Sequence, residues 1–187
     1  MNRRVLRTIV ATTMTLVSSA SFMSAAVAST GDEAVNGTWH RYHQPDFTVD
    51  AGDGCDFEVQ GTVMYDREYY RNLSRYDNGQ VRVALFRGPL IIQYTNTENG
   101  TKVLRNQSGV ATEKFNRDGS FASIKTISGH FGAVVPENSN LERGVYTIGG
   151  QGSAYFVNVD GSVTVKLGED GTAQNLCPIL ARKHHAA

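Results

Sequence analysis

His40 and His43 stand three residues apart, a spacing that on a helix would put two imidazoles on one face and invite a metal ion. The surrounding Thr38-Trp39-His40-Arg41-Tyr42-His43 is aromatic and strand-like, and on a strand the two rings face apart. Asp46, Asp50, Asp53, Asp56 and Glu58 gather the oxygen ligands that calcium takes. A loop opening at Asp50 would need its closing bidentate Glu where Gly61 stands, so these residues read as a solvated acidic loop. His130, flanked by Gly129 and Phe131, is the interior histidine. No G-x-S-x-G accompanies it, and it reads as a strand-end residue rather than a catalytic base. His184 and His185 are adjacent on a C-terminal tail. Gly149-Gly150-Gln151-Gly152 lacks the Lys and the following helix of a phosphate loop and reads as a hairpin turn or bulge. The sequence therefore assigns no catalytic residue, no metal ligand and no cofactor, and it leaves the ligand-binding residues open.

The densest unusual composition is Tyr65–Tyr76, which holds Tyr65, Tyr69, Tyr70 and Tyr76 with Arg67, Arg71 and Arg75. On one strand, Tyr65, Arg67, Tyr69 and Arg71 would share a face, where rings stack on planar ligands and guanidinium groups fork onto carboxylates. The plainer reading is a sheet exterior whose arginines are neutralised by Asp66 and Glu68.

These residues must be positioned by strands. Asn78-Gly79, Asn99-Gly100, Asp118-Gly119, Asp160-Gly161 and Asp170-Gly171 are turn-forming pairs. Between them runs period-two patterning, clearest where Val163, Val165 and Leu167 alternate with Ser162, Thr164 and Lys166. Strands are expected near 46–49, 56–64, 67–72, 80–86, 90–96, 101–106, 110–115, 120–128, 145–148, 153–159 and 162–167. Sequential strands joined by tight turns make an antiparallel meander, which hides its edges by closing as a small β-barrel or by folding as a sandwich. Pro136–Arg143 is a polar loop, either a lid or a connection. A short C-terminal helix is expected from the Leu176, Ile179 and Leu180 stripe, with Asn175 as its cap and Pro178 in its first turn.

The chain opens with Arg3, Arg4 and Arg7, an uncharged run from Thr8 to about Met23, and Ala25-Ala26-Val27-Ala28. This is the pattern of a secretory signal over residues 1–28, cleaved after Ala28. The run is too short and too rich in Ser and Thr for a membrane span. Residues 29–45 read as a flexible leader, 46–181 as a single domain and 182–187 as a tail. The whole chain carries 18 basic and 18 acidic residues, and loss of the signal arginines leaves it slightly acidic. That balance argues against a nucleic-acid partner and gives no reason to expect an anionic membrane. Cys55 and Cys177 are the two cysteines. In an exported protein an isolated pair is most simply one disulfide, with two buried free thiols as the alternative. Four N-x-S/T sequons, at Asn36, Asn72, Asn99 and Asn106, carry no meaning behind a bacterial-type signal.

The order GDGCDFEVQG, QYTNTENGTKVLRNQSG, FNRDGSF and DGTAQNLCPILA resembles the uncharacterised small secreted β-barrel proteins of actinobacteria. In those a Cys before the first long strand pairs with a Cys in a C-terminal D/N-L-C-x-x-L segment, matched here by Cys55, Cys177, Leu176 and Leu180. Pro178 departs from the small or polar residue usual after the second Cys. The resemblance implies a small barrel and brings no activity with it. The expected function is therefore a secreted, non-enzymatic β-barrel that binds a small ligand or an extracellular partner. The alternatives are a barrel enzyme of isomerase or cyclase type, by fold analogy, and a protein-interaction module using the 65–76 face.

Overall fold

The computed structural model describes residues 37–182, and the fold is all-β with antiparallel sheets and one short helix. The expected signal at 1–28, the expected leader up to residue 36 and the tail from residue 183, with His184 and His185, lie outside the described residues.

Three stretches of chain bend at a corner and serve two sheets each. Strands β3 (Val59–Asp66) and β4 (Tyr69–Arg75) flank a corner at 67–68. Strands β5 (Val81–Gly88) and β6 (Leu90–Asn96) flank Pro89. Strands β7 (Lys102–Asn106) and β8 (Gly109–Phe115) flank 107–108. A fourth stretch, β9 (Phe121–Val135), runs unbroken through its corner at Gly129. The corners are laterally adjacent. Arg67 N–H donates to Pro89 O at 2.9 Å, Gln107 N–H to Leu90 O at 2.8 Å, and His130 N–H to Ser108 O at 3.1 Å.

On one side of this line β3 pairs with β6 and β6 with β7, and β2 (Phe47–Val49) adds an edge. On the other side β4, β5, β8 and the first half of β9 pair in order, with β1 (His40–Arg41) outside β4. Strands β11 (Ala154–Val157) and β12 (Val163–Lys166) continue that sheet beyond β9. The second half of β9 pairs with β10 (Gly144–Gly149), and β10 with β13 (Thr172–Asn175). These pairings make a nine-stranded and a four-stranded sheet, and among the described residues they close no barrel.

Gly129 explains how β9 turns its corner. Its φ is +80°, and a Cβ there would sit 2.2 Å from Ser108 O. No L side chain accepts both constraints. Gly129→Ala is expected to destabilise the fold by about 2–4 kcal/mol, read as a lowered urea midpoint. A midpoint equal to the parent's would mean that the corner is not fixed there.

Two cores result. Val49, Val59, Ile92 and Tyr94 of the four-stranded sheet pack with Val134, Val145, Leu176 and Leu180. Phe131, Ala133, Val135, Tyr146 and Ile148, on the other face of β9 and β10, pack with Val163 and Val165. Helix α1 (Cys177–Leu180) is latched to the first core, with Leu176 and Leu180 fully buried. Burial of each leucine contributes about 1.5–3 kcal/mol. Cys55 and Cys177 are disulfide-bonded, with Cα atoms 5.5 Å apart. Asn96 and Asn99 donate side-chain N–H groups to Leu180 O at 3.2 and 3.1 Å, satisfying a helix-end carbonyl. The cap position is Leu176 and not the expected Asn175, whose side chain instead accepts the Cys177 N–H at 3.0 Å from one residue earlier; Pro178 stands in the first turn as expected.

Strand limits also differ from the sequence reading. Part of the 29–45 stretch belongs to the fold, since β1 pairs with β4 and Tyr42 is buried. Strand β9 continues to Val135 because Gly129 bends it instead of ending it. Strand β13 is additional; its short polar sequence Thr-Ala-Gln-Asn carries little hydrophobic periodicity.

Candidate functional site

The inward face of the nine-stranded sheet does not pack solidly against the rest. Phe86, Ala111 and Glu113 lie on this face, in register with Tyr70, Thr126 and Ile124 of neighbouring strands. Between these residues and Leu90, Ile92, Tyr94 and Phe131 lies a cavity of ≈ 960 Å³. Its walls are chiefly aromatic and aliphatic. Tyr42 meets Phe86 edge-on at 5.5 Å, and Phe121 lies 6.3 Å from Tyr155. Such a volume and lining suit a drug-sized apolar molecule held by a few polar groups.

The polar groups sit at separate places. At the corner end is Glu68, whose carboxyl lines the cavity. Burial, and next the neighbouring Asp66 carboxylate, push Glu68 up from 4.5 to about 7, against the pull of Arg41. Asp66 has a different environment. It accepts hydrogen bonds from Glu68 N–H at 2.8 Å and Gln44 N–H at 3.0 Å, and it pairs with Arg41 at 3.3 Å. Two adjacent acids thus differ in character, one tied down by donors and the other poised to carry a proton near neutrality. Glu113 stands deeper, about 14 Å further along the strand direction by the rise per residue. It is 8% exposed. Where the cavity meets the four-stranded sheet, Gln107 donates to Thr147 Oγ1 at 3.1 Å and to Tyr94 Oη at 3.3 Å. The Gln107 carbonyl oxygen is buried and meets no donor among the described residues. Gly132 makes room for this group, since a Cβ there would lie 2.7 Å from Tyr94 Oη. Burial pushes the Tyr94 phenol well above its ordinary range and Tyr155 up to about 12, so both are neutral hydrogen-bonding groups.

Glu68 makes stability pH-dependent. Its folded-state affinity for a proton exceeds that of the unfolded chain, so the folded state is favoured most below pH 4.5. That advantage drains away as pH rises to about 7. Glu68→Gln is expected to flatten this slope and to raise stability at pH 8 by about 1–2 kcal/mol, allowing for partial solvent screening. Urea midpoints at pH 5 and pH 8 check it; an unchanged slope in the variant would show that Glu68 is not the group responsible.

The residues singled out from sequence are dispersed. His40 faces inward, its ring 5.3 Å from that of Tyr70, whereas His43 is exposed beside Asp66. His130 borders the cavity but is exposed, its ring packed over Gly149. The acidic loop is held by separate partners, with Asp46 accepting the Val63 N–H at 2.8 Å and Asp56 paired with Arg143. Among the described residues no three His, Cys, Asp or Glu side chains converge to hold a metal. Gly149–Gly152 forms the expected turn after β10. The Pro136–Arg143 loop is pinned as a connection, since Asn140 exchanges two hydrogen bonds with Val165 at 2.7 and 2.8 Å. The Tyr65–Tyr76 stretch is not one strand. It turns the corner at 67–68, placing Tyr65 and Tyr69 in different sheets.

Gln107 and Glu113 were not singled out by sequence, and Glu68 was read there only as a neutralising neighbour of the arginines. Period two in β8 offers two registers, and only the packing of Ala111 tells that Glu113 points inward. Nothing in sequence marks Gln107, which lies at a corner.

The structure is that of an all-β, disulfide-bridged protein with a cavity between its sheets. No protein-family model matches the chain, and no curated protein or solved structure matches it either. No helix among the described residues is long and apolar enough to cross a membrane.

Proposed function

We propose that this chain is a secreted carrier or receptor for a small amphiphilic molecule, held between its bent sheets as in a half-open barrel. The observation that carries the reading is the ≈ 960 Å³ cavity, whose walls are chiefly apolar with polar groups set among them. The apolar body of the ligand lies along Phe86, Leu90, Ile92 and Phe131. Its polar end, an amine or a hydroxyl, meets Glu68 at the corner. A basic group is favoured there, because an ammonium beside Glu68 recovers the charge that burial disfavours. Burying about 200 Å² of apolar ligand surface supplies roughly 5 kcal/mol before the costs of association, short of the about 8 kcal/mol of micromolar binding, so the polar contact at Glu68 must supply the rest.

Titration with the neutral dye Nile red is the direct test. The expected result is a saturable one-to-one complex with blue-shifted emission. Failure to saturate, or no emission change, would remove the reading.

A second reading, an isomerase or cyclase, is favoured by one observation, the carboxyl of Glu68 poised near pH 7 inside an apolar space. Such an acid–base group is suited to moving a proton on a bound molecule. The two readings part at Glu68→Gln. A carrier keeps dye binding in this variant and shows no turnover in either form, whereas an enzyme loses turnover of its ligand.

A further inference from the structure

The opposite face of the same sheet has a different character. Strands β4, β5, β8, β11, β12 and the first half of β9 contain one acid, Glu113, and it points inward. The outward positions carry basic residues. One cross-strand row reads Arg71, Leu85, Thr112, Lys125, Ala154 and Lys166. The flanking rows add Arg87, opposite Tyr69, and Lys114, which is in register with Ser123 and through it with Phe156. None of these five cations makes an ion pair among the described residues. The chain as a whole has 18 basic and 18 acidic residues, so this is segregation of charge, not excess. Like charges on neighbouring strands repel, a cost that an unpartnered surface has no reason to bear.

Aromatic rings are interleaved with the cations. Arg87 and Arg71 lie over the Trp39 ring at 3.9 and 5.0 Å, and Lys166 lies 5.5 Å from the Phe156 ring. Tyr69 is 40% exposed. The Nε of Arg71 is buried and has no hydrogen-bond partner among the described residues. The row crosses six strands and spans about 24 Å at the usual strand spacing.

We propose that this face docks an acidic polysaccharide, with its carboxylate or sulfate groups along the Arg71–Lys166 row and sugar rings against Tyr69 and Trp39. An extended chain with repeating anions matches a row in which Arg71, Lys125 and Lys166 recur, with Leu85 and Thr112 between the first two and the buried Ala154 between the last two. Leu85 is the one large aliphatic side chain in the row, too little to anchor a protein in a bilayer. The balanced net charge gives no long-range field of the kind that nucleic-acid binders use.

Calorimetric titration of the disulfide-bonded protein tests this, using polygalacturonate, dextran sulfate, uncharged dextran, phosphatidylglycerol vesicles and a DNA duplex. Both acidic polysaccharides are expected to bind saturably, dextran not at all, and affinity to fall roughly tenfold between about 0.05 and 0.3 M NaCl. The triple change Lys114→Gln, Lys125→Gln and Lys166→Gln is expected to weaken binding about tenfold or more at an unchanged melting temperature. Tyr69→Ala should weaken it severalfold through loss of the ring contact. The proposal is overturned if neither acidic polysaccharide binds, if the triple variant binds like the parent, or if vesicles or duplex bind more tightly. Tyr69→Ala without effect would likewise remove the sugar contact and with it the polysaccharide assignment. Nile red binding is read in parallel, so loss at this face is distinguished from loss at the cavity.

Discussion

Replacing Cys55 and Cys177 by Ala is expected to lower the stability of the folded chain by about 2–5 kcal/mol. The bridge closes a loop between residues 122 positions apart, so it restricts the unfolded chain strongly on the loop-entropy account. Its native-state role adds to that. Helix α1 has four residues, too few to hold itself, and it is fixed by the bridge, by Leu176 and Leu180, and by Asn96 and Asn99. Without the bridge the helix relies on the remaining contacts, and the first core is opened at Leu176 and Leu180. Urea unfolding of the double variant, and of the parent under reducing agent, reads the effect. Midpoints within error of the oxidised parent would show that the staple contributes nothing.

Ala111→Trp is expected to raise the Kd for Nile red by about a hundredfold or more while the protein stays folded. Ala111 is in register with Phe86 and borders the cavity, so an indole there takes up the volume in which a ligand body would lie. The arithmetic favours a large effect. Excluding about 200 Å² of ligand surface forfeits several kcal/mol of binding, whereas an added ring in an open space costs stability only about 1–2 kcal/mol. A variant that melts like the parent but binds dye equally well would place the dye elsewhere.

The strands were legible because turn pairs bracket alternating residues. The Asn78-Gly79 and Asp118-Gly119 turns fall between expected strands, with both glycines at positive φ. The Cys55–Cys177 pairing followed from the cysteine count and the export expected from the N-terminal sequence, and the structure has the bridge. What period-two reading does not contain is how strands bend. Tyr65 and Tyr69 share a face on a straight strand, but the corner at 67–68 separates them. The same corners decide enclosure. A meander is expected from sequence, whereas the absence of a closing pair among the described strands is a matter of where β6–β7 and β9–β10 diverge beyond Gln107 and Gly129. The candidate site was largely hidden for the same reason. Glu68 and Gln107 belong to corners, and their depth depends on the sheets folded over them. The cationic face was present in the sequence as Lys114, Lys125 and Lys166, but only the register across β8, β9, β11 and β12 puts them on one surface.

The claim that matters most is that the space between the sheets is occupied by a ligand in life. A native mass spectrum of the protein collected from its producing cells tests this directly, with the Ala111→Trp form beside it. The parent is expected to carry an adduct of a few hundred daltons that denaturation releases and that the variant lacks. A bare parent mass, or the same adduct on both proteins, would contradict the account.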